Sequence, residues 1–432
     1  MHPNALLDHA ADLVEQVLSF QHPADATAAR YFKEHRQLGP RERHALSDTV
    51  YAVLREWPRL QWWLRQAPEE APAPKGQTPA RRQARRLALL ARRDDTPWPD
   101  AATEAERAWL ATCLPDALPR EAPPQAHHLL PPWLGERLQA ELGDAFPALA
   151  AALNQPAPLD LRVNPLKAKR PAVLQQLAAA GHAAEPTPYS PWGVRLQGKP
   201  ALQREALFQS GAVEVQDEGS QLLALLLEAK RNEVVVDFCA GAGGKTLALG
   251  AVMRNTGRLY AFDTSAHRLD ALAPRLQRSG LSNVFPMAIA HEQDERVLRL
   301  RGKADRVMVD APCSGLGTLR RNPDLKWRQK PQAVAELAEL QGRILASAAR
   351  LVKPGGRLVY ATCSLLPEEN EAVAAAFGAA HPRDFQPLPV EELLRHAGVE
   401  QAEGLCRSGY LRLWPHLHHT DGFFAAVWVK KP

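Results

Sequence analysis

The 432-residue sequence has only five cysteines, and no two of them form a Cys-x-x-Cys pair. Cys113, Cys239, Cys313, Cys363 and Cys406 are odd in number and widely spaced. That pattern indicates neither a disulfide framework nor a zinc site, and no metal is expected. No apolar run approaches the roughly 18–20 residues needed to span a bilayer. The first residues, "MHPNALLDHAADLVEQ", are amphipathic and acidic and lack the basic-then-apolar build of a secretory signal. These absences predict a cytoplasmic protein without a membrane partner; a monomer is expected. Charge of one sign is also scarce. Lys plus Arg total 53 against 48 Asp plus Glu, a net charge of only +5.

What is present suits a large folded protein. Hydrophobic residues make up 45 % of the chain, enough for a substantial core. At about 100–200 residues per domain, the length predicts roughly two to four domains. The small positive excess is clustered in "PARRQARRLALLARR" (79–93) and "LRRNPDLKWRQK" (319–330). Such clusters suit a phosphate backbone or, equally, a solvated helix face.

Three styles of sequence follow one another. Residues 1–130 have apolar residues at helical spacing, with Gly39-Pro40 as a start signal and a Pro-rich break, predicted mobile, at 67–80. Residues 131–210 mix a helix near 134–143, short extended pieces "LDLRVNP" and "GVRLQG", and a helix between them, which predicts a small α+β unit. Arg162 and Lys167 at its strand ends are either RNA contacts or plain surface. Residues 211–432 alternate apolar strands with helices, which predicts a doubly wound, mostly parallel sheet. The last strands, in "YLRLWPHLHHTDGFFAAVWVK", predict an antiparallel hairpin at the sheet edge.

The turn "VVVDFCAGAGGKT" (234–246) joins the first of these strands to a helix. A phosphate-binding GxxxxGK[ST] loop needs glycine where Cys239 stands, and a GxGxxG fingerprint needs glycine where Thr246 stands. Both fail. A close backbone approach by a ligand at the carboxyl end of the strand remains. The second strand ends in Asp263, placed to hold two ribose hydroxyls. That arrangement suits S-adenosylmethionine, with a plain packing turn as the alternative.

Two cysteines follow strands in the same half of the sheet: Cys313 after Asp310, and Cys363 after "GRLVYAT". A thiolate adding to C6 of a cytosine makes C5 nucleophilic, and methylation at C5 needs that activation. Asp310 is placed to steady the ring, and a second polar group would help expel the thiol. Pro367 predicts a helix start close to Cys363, whose positive end would favour thiolate.

The motifs "DFCAGAGGKT", "DAPCSGLGTLRRNPDLKW", "TCSLLPEENE" and "DGFFAAVW", with "LRVNP" and "VQDEGSQL" ahead of them, resemble the RNA 5-methylcytosine methyltransferases of the NOL/NOP/Sun family. The resemblance covers about residues 160–431. "YFKEHRQLGPRERHALSDTVYAVLR" resembles a NusB-like RNA-binding domain more weakly, which points to the Sun (RsmB-type) branch. The resemblance implies a seven-stranded Rossmann-like sheet and S-adenosylmethionine as cofactor. It implies an RNA partner, ribosomal first, with transfer RNA or a non-catalytic assembly role as alternatives. It makes Cys363 the nucleophile and Cys313 the release group. Cys239, Ala240, Gly241, Ala242, Gly243, Gly244, Lys245, Asp263, Arg268 and Asp310 would bind the cofactor or organise the site. Two departures stand out: Gly241-Ala242 replaces the family's Ala-Pro, and Ala290-His291 stands where an adenine-contacting Asp is usual, with Asp294 a few residues late.

Overall fold

The computed structural model describes residues 1–67, 78–95, 98–113, 118–198 and 200–432. Most of the Pro-rich break at 67–80 lies outside the described residues. Among them, no helix is long and apolar enough to cross a membrane. The chain divides into two units, one of residues 1–155 with 319–330, the other of residues 156–318 with 331–432.

The first unit is helical. Helix Pro3–Val17 buries Leu6, Leu7, Ala10, Leu13, Val14 and Val17, the 3–4 residue spacing of one helix face. Helix Pro40–Leu64 starts after Gly39 and carries Pro58 inside it. Thr103 and Glu106 form a reciprocal capping box ahead of Glu104–Leu110. The basic helix Pro79–Ala91 buries Leu87, Ala88, Leu89 and Leu90. Its arginines are largely matched by neighbouring acids. Arg81 pairs with Asp12 at 2.9 Å, Arg85 with Glu106 at 3.2 Å, and Arg92 with Asp95 at 3.1 Å. Arg86 lies over the Trp109 ring. Much of the charge that suited a phosphate backbone is therefore spent inside the unit.

The second basic cluster differs more sharply from a solvated face. The chain enters the helical unit at Leu319 and leaves it after Lys330. Trp327 Nε1 donates to Leu54 O (2.8 Å), and its ring meets Trp57 edge-on. Lys326 is 1 % exposed. Its ammonium donates to Arg55 O (3.0 Å) and Asn154 Oδ1 (2.6 Å). Burial pushes its pKa well below the usual lysine range. Ala24 N–H donates to Asp324 Oδ2 (3.2 Å). Apolar stems and fixed donors bury these side chains because unit 1 supplies distant acceptors. Trp327→Ala should therefore cost this unit about 2–3 kcal/mol, below a fully buried Trp because the ring keeps some exposure. Urea unfolding of the whole chain, followed by far-UV circular dichroism, checks it.

The second unit holds two sheets. The small one contains β1 (Leu159–Val163), β2 (Ala184–Pro186), β3 (Gly193–Leu196) and β4 (Val213–Val215) in the order β2-β3-β1-β4. All its pairings are antiparallel, and helix Arg170–Ala179 lies between β1 and β2 in sequence. The large sheet is built from β5 (Val234–Asp237), β6 (Arg258–Asp263), β7 (Val284–Ala288), β8 (Ala304–Asp310) and β9 (Val352–Thr362), with β10 (Phe385–Pro387), β11 (Cys406–Arg407), β12 (Tyr410–Leu413) and β13 (Phe423–Lys430). Seven strands form its body in the order β7-β6-β5-β8-β9-β13-β12, and β11 and β10 are short additions. The first five run parallel. β12 and β13 are antiparallel, but β13 lies inside the sheet against β9, and one helical turn, Pro415–His418, separates the two. The parallel order reverses direction of winding at β5–β8, the place where such sheets open a ligand crevice.

Candidate active site

Three apolar residues, Val234, Val235 and Val236, lead into Asp237, which is fully buried. Thr246 Oγ1 donates to Asp237 Oδ2 (2.7 Å). Burial, resisted by that bond, raises Asp237 to about 6. The turn then enters helix Gly244–Val252 through Gly243, whose φ is 85° and whose added Cβ would lie 2.1 Å from Leu272 Cδ1. Only glycine satisfies both conditions. Arg162 Nη1 donates to Gly244 O (2.7 Å) and also meets Gln216 Oε1. Lys167 Nζ donates to Ser210 O and Arg278 O. Arg162 is 3 % exposed. Arg162 therefore braces the interior of the unit and has no phosphate to meet, whereas Lys167 is exposed and ties two backbone carbonyls at the surface.

The acids at the strand ends converge on one crevice. Gly241 N–H donates to Asp263 Oδ2 (2.8 Å) and Ser265 N–H to Asp263 Oδ1 (2.7 Å), so the carboxylate is held from both sides. Lys245 Nζ pairs with Asp310 Oδ2 at 2.7 Å. Burial pulls the Lys245 pKa down, but Asp310 outweighs it and the net shift is upward. A cavity of about 640 Å³ opens here. Its walls include Cys239, Ala240, Gly241, Ala242, Gly244, Lys245, Asp263, Arg268, Asp310, Cys313 and Cys363. Gly243 is behind the wall, packed on Leu272.

Cys313 and Cys363 meet at the ends of adjacent strands, where β8 and β9 pair through Asp310 and Ala361. Their Sγ atoms are 3.4 Å apart and both thiols are free. The hydrogen bond to Cys363, then burial, hold the Cys313 thiol well above its ordinary pKa. Burial does the same to Cys239, helped by Asp237 and Asp310. Cys113 is buried in the helical unit and its thiol faces Trp109 O.

One sequence expectation changes. Pro367 does not start a helix: residues 367–370 form a turn and the helix is Glu371–Ala380. The reason is local, since Tyr360 OH donates to Glu369 O (2.5 Å) and Asn370 Nδ2 to Ser364 O (3.0 Å), drawing the segment inward. Asp294 does not line the cavity. It caps its own turn, accepting from Ala290 N (3.0 Å) and Arg296 N (2.9 Å). Gly317 is small because a Cβ there would lie 2.1 Å from Gly422 O and 2.7 Å from Cys363 O. Its close approach is to this chain's own backbone.

Ala290 and His291, which the sequence placed where an adenine contact is usual, do line the cavity. Sequence reasoning missed other parts of the wall: Phe238, Ile289, Leu340 and Ile344 supply apolar surface, and Glu292 lines it too. Leu340 and Ile344 stand four apart on helix Pro331–Ala349, so they share a face. Their spacing is visible in the sequence, but nothing there says that face meets a crevice.

Residues 224–429 match the family described as 16S rRNA methyltransferase RsmB/F, and residues 130–203 match the ferredoxin-like domain of RsmF/B-like methyltransferases. A ribosomal RNA small subunit methyltransferase B of Yersinia pseudotuberculosis is 35 % identical over 316 residues, covering 73 % of this chain and 70 % of that protein. The chain belongs to the RsmB/F methyltransferase family.

A probable ribosomal RNA small subunit methyltransferase B of Synechocystis sp. is 40 % identical over 300 residues, 68 % of this chain and 66 % of that protein. One of Bacillus subtilis is 39 % identical over 272 residues, and the match spans 63 % of this chain and 59 % of the relative. The chain thus spans somewhat less than two thirds of these two relatives. Among solved structures, PH0851 matches at a TM-score of 0.77 and 26 % identity over 99 % of both chains. A methyltransferase homolog protein from Pyrococcus horikoshii matches at 0.60 and 28 %, covering 71 % of this chain and 97 % of that one.

Proposed function

We propose that the chain transfers a methyl group from S-adenosylmethionine to C5 of a cytosine in RNA, through a covalent cysteine–C6 adduct, with small-subunit ribosomal RNA as the substrate. The observation that carries this reading is the pair of free thiols 3.4 Å apart in the wall of the crevice. Membership of the RsmB/F family and the names of its relatives support the ribosomal substrate.

The crevice fits the cofactor. The buried Asp263 carboxylate suits two ribose hydroxyls, and the apolar wall of Phe238, Ile289, Leu340 and Ile344 suits a purine. Lys245, Asp310 and Arg268 supply the remaining polar groups. When bound, S-adenosylmethionine supplies an electrophilic methyl group on a sulfonium.

The rest of the chemistry belongs to the chain. The Cys363 sulfur adds to C6 of a flipped cytosine, and the electron pair moves to make C5 nucleophilic. Asp310, oriented by Lys245, steadies the ring near N3 and the amino group as charge moves onto it. After C5 is methylated its proton passes to solvent, the C5–H electron pair reforms the C5–C6 double bond, and the Cys363–C6 bond breaks with its electron pair returning to the sulfur. Cys313, adjacent to that sulfur, assists the release. The attack is given to Cys363 and not Cys313 on the family resemblance, in which the cysteine of "TCSLLPEENE" is the nucleophile.

Asp263→Ala should weaken S-adenosylmethionine binding by about 1.5–3 kcal/mol, roughly 10–150-fold, the worth of charge-assisted bonds to a diol. Titration calorimetry giving an unchanged affinity would remove Asp263 from the site. The whole reading is tested by incubating the protein with labelled S-adenosylmethionine and unmodified small-subunit ribosomal RNA. Label is expected in the RNA, with bisulfite-resistant cytosine at the modified position. Absence of label from any RNA would leave a binding factor that keeps the fold.

A further inference from the structure

Hydrogen-bonded to both cysteine-bearing turns is a buried carboxylate that the chemistry above does not use. Glu369 is 0 % exposed. Its Oε1 accepts from Ser314 N (2.8 Å) and Gln341 Nε2 (3.0 Å). Its Oε2 accepts from Ser314 Oγ (2.5 Å) and also from Ser364 Oγ. An ionised carboxylate has about four acceptor sites and no donor, and four donors surround this one.

The identity of those donors matters. Ser314 follows Cys313 and Ser364 follows Cys363. One carboxylate oxygen therefore joins the hydroxyls of the two residues that succeed the two cysteines. Ser314 Oγ and Ser364 Oγ are 3.2 Å apart, close to the 3.4 Å between the sulfurs. Gln341 ties the same carboxylate to Pro312 O (3.0 Å), just ahead of Cys313. Asn370, next in sequence, holds Ser364 O (3.0 Å) and accepts from Thr362 Oγ1, on either side of Cys363. Both cysteine-bearing turns are thus pinned from the segment 369–370.

A buried charge is costly even when fully bonded, and apolar residues of similar volume would hold two strand ends together at least as well. A carboxylate adds what apolar packing lacks, a fixed angle and distance between two chains. We propose that Glu369 is a positioning residue that sets the spacing of the Cys313 and Cys363 thiols through Ser314 and Ser364. The inference deepens the proposed reaction and rests on it for its consequence: release by Cys313 succeeds only while the two sulfurs stay adjacent.

The test uses a readout that needs no RNA. Phenylarsine oxide bridges two thiols within reach of one arsenic, forming two As–S bonds and releasing one water. It is titrated against the full chain and against Glu369→Gln, Glu369→Asp, Ser314→Ala and Ser364→Ala, with melting temperatures measured alongside. Glu369→Gln places an amide donor among four donors and is expected to weaken arsenical affinity at least tenfold. Glu369→Asp and the serine variants should fall in between. In the presence of RNA and S-adenosylmethionine, Glu369→Gln should also accumulate the covalent RNA complex. A folded Glu369→Gln with undiminished arsenical affinity overturns the proposal. Should that variant fail to fold, undiminished affinity in both serine variants overturns it instead. If the unaltered protein transfers no methyl group, the proposed reaction fails, while the arsenical series still decides what Glu369 does.

Discussion

Cys363→Ala is expected to abolish methyl transfer, with the rate falling by a factor on the order of 10⁴–10⁶, the scale seen when an essential nucleophile is removed. The expectation follows from the substrate. Without a sulfur on C6, C5 of cytosine stays a weak nucleophile and a bound methyl donor has nothing to react with. Cofactor affinity should hardly change, because the proposed ribose and purine contacts are made by Asp263 and the apolar wall residues and not by Cys363. Calorimetry alongside the labelled-methyl assay separates the two. A variant that still transfers label at more than a hundredth of the original rate would put the nucleophile elsewhere.

Cys313→Ala should give the opposite phenotype. Attack and methylation proceed, but the methylated adduct is slow to leave. The protein should accumulate as a covalent RNA complex, seen as a retarded band on a denaturing gel, in a single turnover. Multiple-turnover activity should drop at least a hundredfold while the first turnover survives. Overpacking is no concern, since the substitution removes one sulfur from a cavity wall. Should the band instead build up when Cys363 is replaced and Cys313 kept, the two roles are exchanged.

Much of this site is legible in the chain before any folding. The run Val234–Val236 ending in Asp237, the glycine turn, and the acids Asp263 and Asp310 that end their strands are local signals. A parallel sheet brings the carboxyl ends of its strands to one edge, so acids and cysteines placed there in the sequence meet in space. The same logic put Cys313 and Cys363 together, although they are 50 residues apart.

Charge and burial were decided otherwise. "LRRNPDLKWRQK" looks like a phosphate-binding surface, yet it packs into the helical unit, with Trp327 on Trp57 and Lys326 on Arg55 O and Asn154 Oδ1. Arg81 and Arg85 look equally available, yet they meet Asp12 and Glu106. Glu369 sits in an acidic run, "PEENE", yet it is fully buried against Ser314 and Ser364. Period and turn chemistry depend on residues a few positions apart, so the sequence alone determined the order of strands and helices and the placing of the crevice. Whether a charged side chain faces water or a partner depends on groups tens to hundreds of residues away, and only the tertiary structure brings those groups within hydrogen-bond reach.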